Sequence, residues 1–352
     1  MGSEYGQCAE RRPMRRDKMV IVGCGHWGRN YVRVFAGLLG ADKISVVDSN
    51  VKALESIRQQ HSGVGTSPSL SAALDSGGFG MAVIATPATT HFKLVKQCLA
   101  ADLDVLAEKP LTLNVAEAAK LVQQAHGAKR ILMVGHTFLY NPAVHKMREL
   151  IQEGVCGNIY YMKATRTHLG LIRTDVNAVW DLAPHDVSIF SYLLGKQPVS
   201  VSAVGGCYLK KETEDVAFIN LTYAPNILAS IHVSWADSNK ERTISVVGSR
   251  ARLLFDDLNA LERVKIFEKG IGTNVGGRDS FGEFLFALRD GDIISPKIPT
   301  TEPLSAVCSE FLQCVKTRKE PLANARNGLD TVRVMCAIDR SLKHRGRPVP
   351  VK

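Results

Sequence analysis

The sequence predicts an α/β protein in which a parallel sheet with connecting helices is followed by an α+β domain with a mostly antiparallel, open sheet. In the first half of the chain, short apolar strands alternate with helical stretches of about 10–15 residues, which is typical of βαβ units. From about residue 157 the apolar pattern changes to a period of two, which is typical of antiparallel strands with one buried face. These two patterns predict two domains of different architecture.

The first half contains five strand-like stretches, and helical stretches connect them. The strands are KMVIVGCG, KISVVDSN, GMAVIATP, DVLAEKP and RILMVGHT. The helical stretches are WGRNYVRVFAGL, VKALESIRQQ, HFKLVKQCLA and NVAEAAKLVQQA. Ligands of parallel sheets bind beyond the carboxyl ends of the strands, so we expect the functional residues there.

The first strand ends in a glycine motif, G-x-G-x-x-G, that opens a helix. Gly23 permits the tight turn, Gly25 lets the backbone approach a pyrophosphate, and Gly28 lets the helix and the strand pack closely. His26 and Trp27 lie inside the motif, and we expect them to line the same cofactor. Alone the motif is weak, because glycines also occur at this place as plain turn residues.

Asp48 ends the second strand, twenty residues after Gly28. A carboxylate at this place accepts hydrogen bonds from the adenosine ribose of a dinucleotide, although an ordinary turn residue before Ser49 is the alternative. An acid here would repel the 2′-phosphate of NADP, and no arginine follows at once. Strand, glycines, helix and acid together predict a Rossmann domain that binds NAD.

The second half shows seven strand-like stretches and ends in two helices. The strands are NIYYMKATRTH, VSVSAVGGCYL, VAFINLTYA, ILASIHVSW, RTISVVGS, ARLLFDD and RVKIFEK. Helices are predicted at roughly 304–318 and 327–344, after a long glycine-rich connection at 270–300. The sequence predicts a disordered basic lead-in at 1–17, an NAD-binding Rossmann domain at 18–140, and a substrate-binding and oligomerisation domain at 141–352. We expect the active site in the cleft between the last two domains.

The composition argues against several classes of protein. The net charge is +10, but residues 1–18 and 325–352 supply seven of these charges, and no basic stripe with interleaved aromatics points to nucleic acid. No stretch reaches the roughly 18 unbroken apolar residues of a membrane span, and the N-terminus lacks an apolar signal region. Eight cysteines without a C-x-x-C pair favour a cytoplasmic protein, and the histidine spacing predicts no metal site.

Four landmarks, in order, connect the chain to a known family. They are the glycine motif at 23–28, ATPATTH at 85–91, AEKP at 107–110 and the D-x-x-x-H of DLAPHD. With them the sequence resembles the glucose–fructose oxidoreductase / inositol dehydrogenase / rhizopine-catabolism (Gfo/Idh/MocA) oxidoreductases, from Lys18 to about Val351. GHTFLYNPAV, DVNAVWDLAPHD and GEFLFALRDGDI look most like the sugar-nucleotide branch, which includes UDP-N-acetylglucosamine and UDP-N-acetylglucosaminuronate 3-dehydrogenases.

The resemblance implies an NAD-dependent enzyme that transfers a hydride between nicotinamide and a secondary hydroxyl, at C3, of a nucleotide-linked sugar. An inositol or free-sugar dehydrogenase and a 3-ketosugar reductase are alternatives. A non-catalytic dinucleotide-binding regulator would be expected to lose the lysine or the D-x-x-x-H, and this sequence keeps both. Relatives associate through the second sheet, and VAFINLTYA and ILASIHVSW carry apolar residues on both faces, so we expect a homodimer or homotetramer.

The AEKP landmark supplies the first catalytic candidate. Oxidation of a secondary alcohol requires a base for the hydroxyl proton and positive charge near the developing alkoxide. The resemblance implies that Lys109 contacts the reacting hydroxyl and that Glu108 contacts the cofactor. Pro110 biases Lys109 toward an extended backbone at the carboxyl edge of the sheet. A solvated lysine in a βα loop is the alternative.

The D-x-x-x-H landmark supplies two more. Asp181 and His185 are four residues apart, so on a helix they share one face. Pro184 is tolerated only in the first turn of a helix, which predicts that the helix begins near Asp181 or Leu182. His185 would then lie at the dipole-positive end, which favours a neutral ring able to accept a proton. We predict that His185 is the general base and that Asp181 binds a sugar hydroxyl and orients His185. The alternatives are a capping or packed histidine at 185 and an ordinary N-cap at Asp181.

Four residues are weaker candidates for the cofactor side. Thr86, Pro87 and His91 follow a sheet strand and would line the nicotinamide, or serve as turn residues and a helix cap. Trp180 would pack on the nicotinamide or fill the junction between the domains.

Three residues are weaker candidates for the substrate side. Tyr140, Arg166 and His168 are predicted to point into the cleft. A slip of one residue in the strand register would turn Arg166 and His168 outward, because side chains alternate between the two faces of a strand.

Overall fold

A computed structural model of the chain describes residues 17–170, 172–272 and 287–352. The predicted lead-in at 1–17 lies outside these ranges except for Asp17, and so does the middle of the glycine-rich connection at 270–300. In the described part of the chain, no helix is both long and apolar enough to cross a membrane.

The first half of the chain forms a parallel sheet. Its strands are β1 (Lys18–Val22), β2 (Ile44–Val47), β3 (Gly65–Ser67), β4 (Phe79–Ile84), β5 (Asp104–Ala107) and β6 (Leu132–Val134). They pair in the order β3-β2-β1-β4-β5-β6, and every pairing is parallel. The direction of winding reverses between β1 and β4, so a crevice opens at their carboxyl ends, where ligands of such sheets bind. The five predicted strands are confirmed, whereas β3 is too short to show a pattern.

Helices connect these strands. They are α1 (His26–Leu39), α2 (Val51–Gln60), α3 (Leu70–Ser76), α4 (Ala88–Ala100) and α5 (Val115–Gly127), with a 3₁₀ helix at Ala41–Lys43. Asn50 caps α2 and Asn114 caps α5, since the side-chain oxygen of each accepts a hydrogen bond from a backbone N–H of the first turn. The sequence did not predict α3, which is only seven residues long.

The second half of the chain forms a larger, open sheet. The strands that follow β6 are β7 (Ile159–Leu169), β8 (Ser200–Gly206), β9 (Val216–Tyr223), β10 (Ile227–Ser234), β11 (Ala236–Gly248), β12 (Arg252–Asp256), β13 (Val264–Phe267), β14 (Gly270–Gly272), β15 (Ala287–Arg289), β16 (Ile293–Ile294) and β17 (Val349–Pro350). The order is β16-β13-β12-β11-β7-β10-β9-β8-β17, and β14 pairs with β15 separately. Among the described strands of this larger sheet, only β7 and β10 pair in parallel, which confirms that the sheet is mostly antiparallel.

Helices cover one face of this sheet, and the last two also pack against elements of the first half of the chain. They are α6 (Pro142–Gln152), α7 (Ala178–Leu194), α8 (Pro303–Thr317) and α9 (Ala325–Lys343), and a 3₁₀ helix at Thr137–Tyr140 precedes α6. The sequence did not predict α6, although Asn141 caps it and Pro142 occupies its first turn. The predicted C-terminal helices are confirmed as α8 and α9. They pack on α1, α5 and β6, and the N–H of Val134 donates to the carbonyl of Ala323 at 2.8 Å.

The other face of the large sheet carries exposed apolar side chains. Tyr161 on β7 lies beside Leu228 on β10, and Val204 on β8 lies beside Phe218 on β9. About half of the surface of each of these side chains is exposed. We call these four residues the outer-face patch.

Candidate active site

A groove of about 810 Å³ runs along the carboxyl ends of β1, β2 and β4. Gly23 has a φ of +93°, and a Cβ there would lie 2.6 Å from the carbonyl oxygen of Ala85. A Cβ on Gly28 would lie 1.9 Å from the carbonyl oxygen of Gly23, so the strand and α1 approach as closely as predicted. A Cβ on Gly25 would have no heavy atom within 4 Å, which leaves its backbone open to the groove. These glycines fit a pyrophosphate against the start of α1.

Asp48 presents a carboxylate to the same groove. Its Oδ2 accepts a hydrogen bond from the N–H of Cys24 at 2.8 Å, and its Oδ1 accepts one from the N–H of Asn50 at 2.8 Å. Burial acts to raise the pKa of Asp48, but hydrogen bonds from Asn50 and Cys24 outweigh burial and hold the pKa below its ordinary value. The carboxylate is therefore ionised and fixed beside the groove, as the prediction of a ribose partner requires.

Of the eight other predicted cofactor residues, four line this groove, whereas His91, Glu108, Lys109 and Trp180 do not. His26, Trp27, Thr86 and Pro87 line it. His91 is buried in α4, with its Nδ1 at 2.8 Å from the carbonyl oxygen of Pro110 and its Nε2 at 2.9 Å from that of Thr86. The expectation that His91 lines the nicotinamide is therefore wrong, because its ring faces two backbone carbonyls behind the groove and joins two loops.

A second cavity of about 560 Å³ adjoins the groove, and His26, Trp27, His168 and Asp181 line both. We call it the substrate cavity. Its lining comprises His26, Trp27, Asn30, Lys109, Thr137, Phe138, Asn141, Arg166, His168, Asp181, Leu182, His185, Arg242, Asp257, Arg263 and residues 301–304. It thus brings together residues from both halves of the chain.

Lys109 follows β5 and reaches across to α7. Its Nζ donates a hydrogen bond to the backbone carbonyl of Asp181 at 2.7 Å and lies 3.5 Å from the carboxylate Oδ1 of the same residue. The lysine side chain is 7% exposed. Burial lowers the pKa of Lys109 below its ordinary value, although the charges of Asp181 and Glu108 act in the opposite direction. The alternative of a solvated loop lysine is therefore wrong.

Glu108 lies behind Lys109 and lines neither the groove nor the substrate cavity. It is buried, its Oε1 accepts from the Tyr31 hydroxyl at 2.7 Å, and its Oε2 accepts from the N–H of Lys109 at 3.1 Å. Burial raises the pKa of Glu108. The structure thus corrects the expectation of a cofactor contact, since this side chain holds α1 and the lysine backbone in place.

Helix α7 begins earlier than predicted. It starts at Ala178, where the Asn177 side chain accepts a hydrogen bond from the N–H of Trp180 at 3.0 Å. Pro184 therefore lies inside the helix, with no N–H to donate to the carbonyl of Trp180. The prediction of a start near Asp181 is wrong because burial of the first turn and the asparagine cap stabilise helix on the N-terminal side of the proline.

His185 nevertheless lines the substrate cavity as a neutral ring. Its pKa lies well below the ordinary value because of burial first, and then because of the charges of Lys109 and Arg166. The helix dipole is not the reason, since the residue lies two turns into α7. Its Nδ1 is buried without a hydrogen-bond partner in the described part of the chain, and its ring packs edge-on against Phe138 with centroids 5.0 Å apart. The other ring nitrogen, Nε2, is the one left to the cavity.

Asp181 stands where the groove and the cavity meet. Its Oδ1 accepts a hydrogen bond from Nη1 of Arg173 at 3.1 Å, and its Oδ2 accepts one from Nε1 of Trp235 at 3.3 Å. Arg173 also binds Asp175 through two hydrogen bonds of 2.9 and 2.7 Å. The carboxylate beside Lys109 is thus held from two sides, and the reading of Asp181 as a plain N-cap is wrong because Asn177 fills that role.

The weaker substrate candidates divide. Arg166 and His168 line the cavity, so the register predicted for β7 is correct. Tyr140 is buried, and its hydroxyl accepts from the N–H of Ala323 at 3.2 Å, so the expectation that it points into the cleft is wrong. Trp180 lines neither the groove nor the substrate cavity; its Nε1 donates to Asp339 on α9 at 2.8 Å, and it fills the junction instead of covering the nicotinamide.

Sequence reasoning missed several residues of the site. They are Phe138, Arg242, Asp257 and Arg263 in the cavity wall, Arg173 and Asp175 in the groove, and Trp235, His136 and Asp186 behind them. Only Asp186 carried a usable signal, because it follows His185 directly within DLAPHD. The others come from loops and strand ends that a one-dimensional pattern does not connect.

Comparison with known proteins finds a family with the same two domains. The profile described as the oxidoreductase family, NAD-binding Rossmann fold, matches residues 18–136, and that of the GFO/IDH/MocA C-terminal domain matches residues 144–254. UDP-N-acetylglucosamine 3-dehydrogenase of Acidithiobacillus ferrooxidans is 27% identical over 257 residues, which cover 73% of this chain and 78% of that protein. Myo-inositol 2-dehydrogenase of Thermotoga maritima is 24% identical, over 75% of this chain and 77% of that protein.

A solved structure shares the fold over almost the whole chain. It is the WlbA dehydrogenase from Bordetella pertussis, crystallised with NADH and UDP-GlcNAcA. The TM-score is 0.76 at 20% identity, over 95% of this chain and 98% of that one. At this level of identity the likeness concerns the fold alone.

Proposed function

This chain belongs to the Gfo/Idh/MocA oxidoreductases and has their NAD-binding Rossmann domain, and we propose that it oxidises the C3 hydroxyl of a nucleotide-linked sugar. One observation carries the oxidation of an alcohol, and the likeness to UDP-N-acetylglucosamine 3-dehydrogenase supports the C3 hydroxyl and the linked nucleotide. The Nζ of Lys109 donates a hydrogen bond to the backbone carbonyl of Asp181, the residue at which the dinucleotide groove meets the substrate cavity. His185 lines the same cavity. A cation, a fixed carboxylate and a neutral imidazole at such a junction suit the oxidation of an alcohol.

NAD fits the groove on the evidence of its walls. Gly25 leaves space for the pyrophosphate, and the ionised Asp48 offers acceptors to the adenosine ribose. The same carboxylate would repel a 2′-phosphate, which supports a preference for NAD over NADP. NAD held in this groove would supply the acceptor for the hydride that leaves the carbinol carbon.

The protein side chains manage the hydroxyl group. The Lys109 ammonium stabilises the negative charge that develops on the alcohol oxygen, and burial strengthens this interaction because solvent screening is reduced. Nε2 of His185 accepts the hydroxyl proton, since the ring is neutral and its Nδ1 is enclosed. Asp181 keeps the lysine in position and is itself held by Arg173 and Trp235. The ketone product, the reduced cofactor and one proton balance the reaction.

The test is a substrate panel. Purified protein is incubated with NAD and with UDP-sugars, dTDP-sugars and inositols while the absorbance of the reduced nicotinamide is followed, and a keto-acid is added to recycle tightly bound NADH. We expect reduction with a UDP-linked N-acetylhexosamine or its uronate, and loss of the signal when its 3-hydroxyl is replaced by hydrogen. If NAD is reduced only in the presence of inositols, the nucleotide-sugar proposal is overturned and an inositol dehydrogenase is favoured, the activity named for the Thermotoga maritima relative.

A further inference from the structure

We propose that Arg242 and Arg263 form an anion subsite in the wall of the substrate cavity and bind a phosphoryl group linked to the sugar. The inference rests on the proposed function, because it assumes that a sugar hydroxyl reacts beside Lys109. It assigns a task to two side chains that the oxidation itself does not use.

The two arginines lie progressively farther from the reacting end. Arg242 on β11 is paired directly with Arg166 on β7. On the far side of β11, the N–H of Asp256 at the end of β12 donates to the carbonyl of Arg263 at 2.9 Å. Neighbouring strands are about 4.8 Å apart, so Arg263 lies roughly 14 Å across the sheet from Arg166. Arg166 is near the reacting end, since its charge, after burial, helps to lower the pKa of Lys109.

The pairing of the cavity's arginines weakens along the same path. Arg166 is held by Asp186 through two hydrogen bonds of 2.9 and 2.7 Å. Arg242 reaches Asp257 through a single contact of 3.5 Å. The side chain of Arg263 has no hydrogen bond or ion pair within the described residues. Within the described residues Arg263 is thus the least paired arginine of the cavity wall, because Asp257 contacts Arg242 and Glu302 pairs with Arg33.

A phosphoryl group matches this wall better than a hydroxyl does. Guanidinium groups stay charged at every relevant pH and bind phosphate oxygens through pairs of N–H groups. A diphosphate carries two negative charges, which suit one loosely paired and one unpaired arginine. The substrate cavity has a volume of about 560 Å³, and residues as far apart along the chain as Lys109, Arg263 and 301–304 line it, so it accommodates more than the reacting ring. A sugar carboxylate is the competing anion, and the test separates the two.

The first measurement is the binding of UDP to the NAD-loaded protein by titration calorimetry. We expect Arg263→Gln and Arg242→Gln each to weaken UDP binding about tenfold to a hundredfold, the range for one charge-assisted hydrogen bond, and the loss to shrink at high salt. Arg252→Gln is the matched control, because Arg252 is an exposed arginine of β12 whose Nε donates to Ser245 at 2.9 Å outside the cavity. The control should bind UDP like the wild type.

The second measurement compares three substrates: UDP-N-acetylglucosamine, N-acetylglucosamine 1-phosphate and free N-acetylglucosamine. For Arg263→Gln we expect KM to rise for the two phosphorylated compounds, and the free sugar to respond alike in wild type and variant. The 1-phosphate shows whether one phosphoryl group is sufficient. UDP-N-acetylglucosaminuronate is measured beside these three compounds. If the KM of Arg263→Gln rises for the uronate alone, the subsite binds a carboxylate and the proposal is wrong.

The outcomes for the subsite and for the proposed function are separable. Equal UDP affinity in the wild type and Arg263→Gln overturns the subsite, as does a wild type that does not bind UDP. If the wild type oxidises a UDP-sugar and both variants do so with the same KM as the wild type, the proposed function stands and the subsite proposal is wrong. If the wild type oxidises none of the sugars but binds UDP, and the variants bind UDP more weakly, the subsite is supported and the proposed function is wrong. Melting temperatures check folding, and Arg263→Gln breaks no hydrogen bond or ion pair within the described residues.

Discussion

Acid should destabilise this protein through His136, a buried histidine close to Lys109. Neither nitrogen of its ring has a hydrogen-bond partner within the described residues. Burial first, and then the charge of Lys109, lowers the pKa of His136 from 6.5 to about 4. Between these two pH values the unfolded chain binds a proton at this ring that the folded chain does not bind. The free energy of unfolding therefore falls as the pH falls through this window.

The magnitude follows from the two pKa values of His136. A pKa lowered from 6.5 to about 4 corresponds to about 3 kcal/mol of unfolding free energy at ~1.36 kcal/mol per pH unit. This contribution is fully present above the pKa of the unfolded chain. About 2 kcal/mol of it should be lost at a pH of about 5, and most of the remainder at a pH of about 4.

Urea unfolding at a series of pH values measures this effect. His136→Phe keeps a ring of similar size and removes the titrating nitrogens, so its stability should fall less in acid than that of the wild type. His126→Gln is the control, because His126 is exposed on α5. The difference between the wild type and His136→Phe should change by about 3 kcal/mol between neutral pH and a pH of about 4. Parallel pH dependences for these two proteins would refute the reasoning.

Three further predictions concern the cofactor, the chemistry and the assembly. Asp48→Ser should weaken NAD and relatively improve NADP in steady-state kinetics, and a wild type that already prefers NADP would contradict this. Lys109→Ala and His185→Ala should each lower turnover by about 10²–10⁴, with a smaller loss in the double variant than the product of the two. His185→Ala should also lose the acidic limb of the pH–rate profile, which the low pKa of His185 places below 6.5 in the wild type, whereas normal turnover with an unchanged profile would remove it as the base. The outer-face patch should be buried in an interface between copies of the chain, so light scattering should give the mass of a dimer or tetramer. Phe218→Glu should dissociate this oligomer, and a monomeric wild type would contradict the prediction.

Much of the fold was readable from the sequence because its signals are local. Glycines at 23, 25 and 28, followed by an acid at the next strand end, predict one turn with one ligand, and the structure places Gly23, Gly28 and Asp48 accordingly. Arg166 and His168 reach the cavity because they are two residues apart on one strand and share a face. Such relations depend on neighbours along the chain, so a pattern reveals them.

Burial, by contrast, depends on which elements pack together, and the sequence does not contain that information in local form. Glu108, His91, Tyr140 and Trp180 have polar groups that a cofactor or a sugar would suit, yet each is turned toward another part of the protein chain. The start of α7 was misplaced for the same reason, because tertiary packing outweighs the hydrogen bond that an internal proline removes.

The sequence by itself determined the two kinds of sheet, the dinucleotide turn and the residues that could serve a dehydrogenase. Only the tertiary structure decided which of them meet. Lys109 and Asp181 are 72 residues apart, and their contact exists because β5 and α7 approach each other across the cleft. The same approach buries His185 among positive charges. Desolvation and long-range charge set these properties, and both follow from the packed distances between elements, which no spacing along the chain specifies.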